Sequence, residues 1–151
     1  MIKTANLLSK KQCKLIEDFA SHWNKDFNGL QIFLSSLFNI YCSTDADIIK
    51  PYKQDWSNVA GNADILIKPS NSIQCAAILK TAYHCKIPIT VSAGQTNLTG
   101  SATPKEGIVL STSLLTSPKI QINKKKKKAV SPVGIPLETL RKEILQQSNM
   151  R

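Results

Sequence analysis

The chain has 151 residues, of which 42% are hydrophobic and 20% are charged, which suffices for one domain with its own apolar core. No apolar run approaches the ~18 to 20 residues of a membrane-spanning helix, and the first residues lack the apolar stretch of a signal peptide, which argues against an integral membrane or secreted protein. Lysine and arginine total 20 against 10 acidic residues, a formal net charge of +10.

Two helices are predicted near the N-terminus. Residues 9–24 begin with a capping box, Ser9 followed by Gln12, and then place apolar residues on one helical face. Asn28-Gly29 is predicted to end this helix, and a second short helix is expected over residues 30–38. The polar stretch over residues 43–62 contains proline and glycine, and it is predicted to be irregular.

The pattern then changes to alternating strands and a helix. Residues 65–67 are predicted as a short strand, residues 73–85 as a helix and residues 87–91 as a second strand. Two strands joined by a helix form a βαβ unit, in which the strands are parallel. A third strand is predicted over residues 108–110, so the sequence indicates a small sheet with helices packed on it.

A lysine run is the most prominent charged feature. Residues 119–123 and 129–131 are predicted to form a hairpin around Lys124–Lys128, and residues 137–147 return to helix. Five like charges repel one another, so a solvated turn is their expected place. The same run leaves an alternative function open, a non-catalytic basic interaction module that binds anionic lipid or nucleic acid through Lys124–Lys128.

The identity of the basic side chains does not favour specific nucleic-acid binding. Arginine occurs only as Arg141 and Arg151, and the other basic residues are lysines. Base recognition and bidentate phosphate binding favour arginine, so the positive charge indicates a general lysine bias.

The cysteines and histidines do not form a recognisable metal motif. No CxxC pair occurs, and neither histidine has a second histidine at helical or metal-binding spacing. Buried reduced thiols are the expected state of Cys13, Cys42, Cys75 and Cys85. His22 and His84 could each act as a general base, with a surface or partly buried imidazole as the alternative.

The loop from Ser92 to Thr103 carries the strongest chemical signal. It directly follows a predicted strand and contains two glycines and several hydroxyl side chains but no charge. Such a backbone can direct N–H groups at a phosphate or pyrophosphate without a cation. The glycine spacing fits neither GxxxxGK[ST] nor GxGxxG, which sets aside a P-loop ATPase and a standard Rossmann domain. By spacing alone, a connection without a ligand is the alternative.

Three ordered motifs make the chain recognisable: residues 64–70, 87–100 and 107–111. Together they closely resemble the FAD-binding domain of the vanillyl-alcohol oxidase/PCMH family, and within it the D-lactate dehydrogenase and glycolate oxidase branch of FAD-linked oxidases. Residues 41–57 are similar to the segment that precedes the domain in that branch. The resemblance implies an α+β (α/β) fold, with N-terminal helices followed by the first, βαβ-containing half of a PCMH-type FAD-binding domain.

In that family the loop after the second strand wraps the FAD pyrophosphate mainly through backbone amides, and a proline after the first strand lies beside the adenine end. The resemblance therefore implies these cofactor-binding residues: Pro69, Ser92, Ala93, Gly94, Gln95, Thr96, Asn97, Leu98, Thr99, Gly100 and Ser101. Ala93-Gly94 and Gly100-Ser101 stand where relatives have glycine pairs, so a positive φ at either side chain would cost about 1 kcal/mol.

The resemblance also implies a division of the chain and a larger whole. Residues 1–58 are expected to be a pre-domain segment, and residues 59–151 the first half of the FAD-binding domain, without the substrate domain. The isolated chain is thus expected to have an incomplete FAD site and no catalytic residues. It is expected to be a truncated gene product, a split-gene half, or one part of an enzyme whose C-terminal portion is encoded separately and would be its partner. Relatives oxidise 2-hydroxy acids such as lactate or glycolate. A cytoplasmic location is expected, with peripheral contact at the inner membrane face left open.

Overall fold

The computed structural model describes residues 7–148, which form helices, short strands and two 3₁₀ turns. The helices are α1 (Lys10–Ser21), α2 (Phe27–Phe38), α3 (Ala46–Ile49), α4 (Ser72–Cys85) and α5 (Leu137–Ser148). The strands are β1 (Tyr41–Ser43), β2 (Ile65–Lys68), β3 (Ile89–Ser92), β4 (Ile108–Ser111), β5 (Gln121–Asn123) and β6 (Lys128–Val130). Within this part of the chain no helix is long and apolar enough to cross a bilayer.

The two N-terminal helices begin with side-chain caps. Ser9 and Gln12 form the predicted capping box at the start of α1. The prediction that Asn28-Gly29 ends this helix is wrong, because α1 stops at Ser21 and both residues lie in the first turn of α2. The reason is Asp26, whose carboxylate accepts a hydrogen bond from the Gly29 N–H at 3.0 Å and so starts a new helix there.

The main sheet has the strand order β1-β2-β4-β3. Strands β2 and β3 are both parallel to β4, which lies between them, and β1 is antiparallel to β2. The predicted βαβ unit is therefore present, but its two strands are separated by β4. The stretch predicted as irregular begins in β1 and also contains α3, which Asp45 caps.

Both faces of the central strands are buried. Ile65 and Ile67 of β2 pack with α1, α2 and α4 on one face, and Leu66 and Val109 pack with Ile49 on the other. Parallel strands that are covered on both sides consist of nearly continuous apolar residues, as β2 and β4 do here. This core fixes the carboxyl ends of β2, β3 and β4 at one edge of the sheet.

A separate two-stranded hairpin carries the lysine run. Strands β5 and β6 pair antiparallel, and the turn between them is made of lysines. The Lys126 N–H donates to Asn123 Oδ1 at 2.9 Å, and Lys127 adopts a left-handed φ of 49°. All five lysines are exposed: Lys124 to Lys127 form the predicted solvated turn, and Lys128 begins β6.

Gln74 ties α4 to the end of α2, and we expect its replacement to destabilise the fold. Its buried Nε2 donates to the backbone carbonyls of Phe38 and Asn39, at 3.1 and 2.9 Å. Its Oε1 accepts from the Ser70 N–H at 2.7 Å. Gln74→Leu should lower the free energy of unfolding by about 2 kcal/mol, because it leaves buried carbonyls without donors. Chemical denaturation would measure this. Ile73→Gln, an exposed position of the same helix, should change stability by less than about 0.5 kcal/mol.

Candidate functional site: a backbone cradle at the edge of the sheet

The loop leaves β3 at its carboxyl end and returns to the sheet at Ile108. Pro69 follows the carboxyl end of β2, so it lies at the same edge of the parallel sheet. The structure thus brings the strand ends that carry the sequence-predicted residues to a single edge. Ligands of open α/β sheets commonly bind outside this edge.

The backbone of the loop is rich in unused donors. No N–H group from Gly94 to Ser101 donates to an acceptor in the part of the chain that the structure describes. The Ala102 N–H donates to Asp55, and the Thr103 N–H donates to the Gly100 carbonyl at 3.1 Å, so the loop closes at its far end. Successive free N–H groups in a turn conformation can bind an anion.

A buried hydroxyl lies at the base of the loop. Ser92 is completely buried at the end of β3, and its Oγ has no hydrogen-bond partner among the described residues. Buried polar groups normally have a partner, so an orphaned hydroxyl here is consistent with a ligand or water that completes it. Thr103 Oγ1, at the other end of the loop, has the same property.

The strained positions of the loop differ from those that the glycine pairs suggested. Positive φ angles occur at Gln95 (54°) and Gly100 (73°), and at neither Ala93 nor Ser101. At the second of these two positions the residue is a glycine, Gly100, which adopts a positive φ without steric cost. At Gly94 an added Cβ would face open space, with the Thr96 methyl as its nearest neighbour at 4.0 Å.

The left-handed conformation of Gln95 is held by contacts with the preceding segment. Its Nε2 donates to the backbone carbonyls of Pro51 and Gln54, at 3.1 and 3.2 Å. A non-glycine residue at positive φ needs such external support. The loop is consequently anchored on residues that lie outside the strand–loop motif.

Asp55 is the second anchor, and sequence reasoning missed its contact with the loop by assigning it to the pre-domain segment alone. It is 4% exposed, and its Oδ2 accepts from Asn97 Nδ2 at 2.6 Å and from the Ala102 N–H at 3.3 Å. Its Oδ1 accepts from the Ser57 N–H at 2.9 Å. Hydrogen bonds from Ser57, then from Asn97 and Ala102, lower the pKa of Asp55 to about 2, so the carboxylate is ionised at neutral pH. The only local signal was the Asp-x-Ser spacing of an Asx turn.

The arrangement fits a pyrophosphate. Residues 92–103 carry no charge, so an anion in the loop would be held by backbone dipoles and hydroxyl groups. The free N–H groups, the open space over Gly94 and the orphaned Ser92 hydroxyl all suit such a group.

The titratable groups considered in the sequence lie elsewhere. His84 precedes β3 and so lies at the opposite edge of the sheet, and His22 follows the end of α1. Burial raises the pKa of the Cys42 thiol to about 12, which keeps it protonated. Residues 7–148 contain no group of three His, Cys, Asp or Glu side chains arranged for a metal ion.

Comparison with known proteins identifies the domain. The FAD binding domain family matches residues 63–150, which is more than half of the chain and includes the whole loop. The chain belongs to this family. FAD is the family's cofactor, as the sequence motifs implied, and the free N–H groups of the loop agree with it.

Curated relatives match about half of the chain. A D-lactate dehydrogenase from Archaeoglobus fulgidus is 39% identical over 77 residues, which are 50% of this chain and 17% of that protein. The mitochondrial D-2-hydroxyglutarate dehydrogenase of Bos taurus is 30% identical over 74 residues, 48% of this chain and 14% of that protein. The chain thus spans only a small part of the length of the curated relatives it matches.

Solved structures show the same fold at low identity. 6-Hydroxy-D-nicotine oxidase from Arthrobacter nicotinovorans has a TM-score of 0.60 and 21% identity, covering 71% of this chain and 24% of its own. p-Cresol methylhydroxylase has a TM-score of 0.62 and 18% identity, covering 94% of this chain and 26% of its own. The predicted α+β class with a PCMH-type FAD-binding fold is thereby confirmed.

Proposed function

We propose that the loop of this FAD binding domain holds the pyrophosphate of FAD through its backbone. The observation that carries the proposal is the run of N–H groups without a protein acceptor from Gly94 to Ser101, in the loop that begins at the unpartnered Ser92 hydroxyl. In this proposal the contact residues are the ones that the family resemblance implied: Ser92, Ala93, Gly94, Gln95, Thr96, Asn97, Leu98, Thr99, Gly100 and Ser101. Pro69 lies beside the adenine end.

We further propose that the domain serves an FAD-linked dehydrogenase or oxidase of 2-hydroxy acids, of the D-lactate dehydrogenase and glycolate oxidase type. The names of the two curated relatives support this substrate class. Bound FAD accepts a hydride equivalent from the α-carbon of such an acid. The residues described here bind and orient the cofactor. Groups that contact the substrate belong, in this proposal, to a remaining portion of the enzyme, encoded downstream or separately.

The division into a pre-domain segment (1–58) and an FAD-binding half-domain (59–151) stays a proposal, and several hydrogen bonds cross it. The basic module formed by Lys124–Lys128, with anionic lipid or nucleic acid as its partner, stays a prediction as well. It differs from the flavin proposal in its salt dependence, because attraction between exposed charges is screened over about 8–10 Å at ordinary ionic strength.

Nuclear magnetic resonance titration of the 151-residue chain tests the loop directly. FAD and ADP share the adenosine diphosphate portion, and riboflavin lacks it. We expect both diphosphates to shift the amide signals of residues 94–101 at low and at high salt, and riboflavin to leave them unchanged. An unchanged loop in the presence of FAD and ADP would contradict the proposal, and so would equal shifts with riboflavin.

A further inference from the structure

Two side chains of the cofactor loop bind a segment that the family match does not include. This clasp segment, residues 51–58, precedes the matched region, which begins at residue 63. Gln95 reaches the carbonyls of Pro51 and Gln54, and Asn97 reaches the Asp55 carboxylate. The loop therefore has two anchors, both within one short stretch of chain.

Asp55 places a negative charge next to the loop that is proposed to bind an anion. A carboxylate repels a pyrophosphate, so its presence needs a compensating role. It accepts from the Ala102 N–H, just past the free amides, and from the Asn97 side chain within them. Asn97 makes this contact with its side-chain Nδ2, and its backbone N–H has no acceptor among the described residues. Asn97 Nδ2 also lies 3.0 Å from Ser101 Oγ, so one amide group spans the loop.

We propose that Asp55 is a positioning residue of the FAD site, which holds the loop open for the pyrophosphate through Asn97 and Ala102. The inference rests on the proposed function of the loop. If the loop adopts its binding-competent conformation only part of the time, its apparent affinity for the ligand is reduced in proportion to the population of that conformation. Fixing the loop beforehand removes this loss. The ionised, buried carboxylate accepts a short hydrogen bond from Asn97 at 2.6 Å and a longer one from Ala102 at 3.3 Å.

Thermodynamic linkage makes the effect reciprocal. If the clasp segment holds the loop ready for FAD, then bound FAD must stabilise the docked clasp segment by the same factor. Amide hydrogen exchange in residues 51–58 should therefore slow when FAD or ADP binds, although no pyrophosphate contact is proposed there.

The test compares the affinity for FAD and ADP in four chains: the natural sequence, Asp55→Ala, Asn97→Ala and the double variant. We expect each single variant to bind both ligands at least about 10-fold more weakly, since the competent fraction of the loop falls. The double variant should lose little more than Asp55→Ala alone, because Asp55→Ala already removes the hydrogen bond from Asn97. Asp45→Ala is the matched control. Asp45 also caps a turn of the pre-domain segment, at α3, but contacts no loop residue.

The outcomes separate the positioning role from a general loss of stability and from failure of the proposed function. Affinities are measured well below the thermal midpoint of every variant. Asp45→Ala should lower that midpoint and leave affinity and clasp-segment protection unchanged. Unchanged affinity in Asp55→Ala, or fully additive losses in the double variant, would overturn the inference. If the natural chain bound neither FAD nor ADP, the proposed function itself would fail.

Discussion

Gly94→Glu should weaken the binding of FAD and ADP about 100-fold, which corresponds to about 2.7 kcal/mol. Gly94 has no left-handed φ, and a Cβ there meets only open space within the loop, so the substitution is compatible with the backbone. The new carboxylate would enter the region proposed for the pyrophosphate. Two like charges about 4 Å apart repel by about 4 kcal/mol at the effective dielectric constant of a protein surface. Isothermal titration with ADP measures the loss.

Gly94→Gln is the control for this charge effect, because its side chain has nearly the same size and no charge. We expect its affinity to fall several-fold less than that of Gly94→Glu, with similar thermal midpoints for both. Equal losses in the two variants would contradict the electrostatic argument. Unchanged affinity in Gly94→Glu would show that the pyrophosphate lies elsewhere.

Gly107→Ala should cause the second large effect, a loss of about 3 kcal/mol in the free energy of unfolding. Gly107 adopts a φ of 77°, and an added Cβ would lie 2.5 Å from the Pro88 carbonyl oxygen. Its N–H donates to Asp64 Oδ2 at 2.7 Å, and its carbonyl accepts from the Asp64 and Ile65 N–H groups. The substitution therefore strains the backbone where β4 enters the sheet between β2 and β3.

Urea denaturation followed by circular dichroism measures this effect, and Gly94→Ala is the matched control. At Gly94 neither the φ angle nor the space opposes a methyl group, so its stability should change by less than about 0.5 kcal/mol. If Gly107→Ala were as stable as the control, the argument would be contradicted, because the backbone before β4 would then accommodate a methyl group without loss of free energy of unfolding.

The candidate site includes residues that lie outside the part of the chain that matches the family. The match begins at residue 63, and the anchors of the loop lie at Pro51, Gln54 and Asp55. A domain boundary drawn from sequence similarity would therefore separate the loop from the groups that hold its shape. Expression of residues 63–151 alone would remove these anchors.

The sequence by itself determined the parts of this protein that depend on neighbouring residues. The capping box at Ser9, the hydrophobic period of α4, the apolar runs of β2 and β4 and the glycines of the loop are all local signals, and the structure contains each of these elements. The loop residues were named as a group because the family resemblance implied them by position, and the glycines and hydroxyl side chains of the segment agreed with a ligand held by backbone groups.

Only the tertiary structure decided which distant segments meet. Strand β1 has three residues, too few for a detectable period, and it exists through its pairing with β2. The place of β4 between β2 and β3 depends on burial from both sides, which local sequence does not encode. Asp55 and Asn97 are 42 positions apart, and a carboxylate gains its role only when folding places it against a particular donor. Side-chain chemistry and local partners such as those of the Ser9 capping box were therefore visible in the sequence, and the distant partners of Asp55 were not.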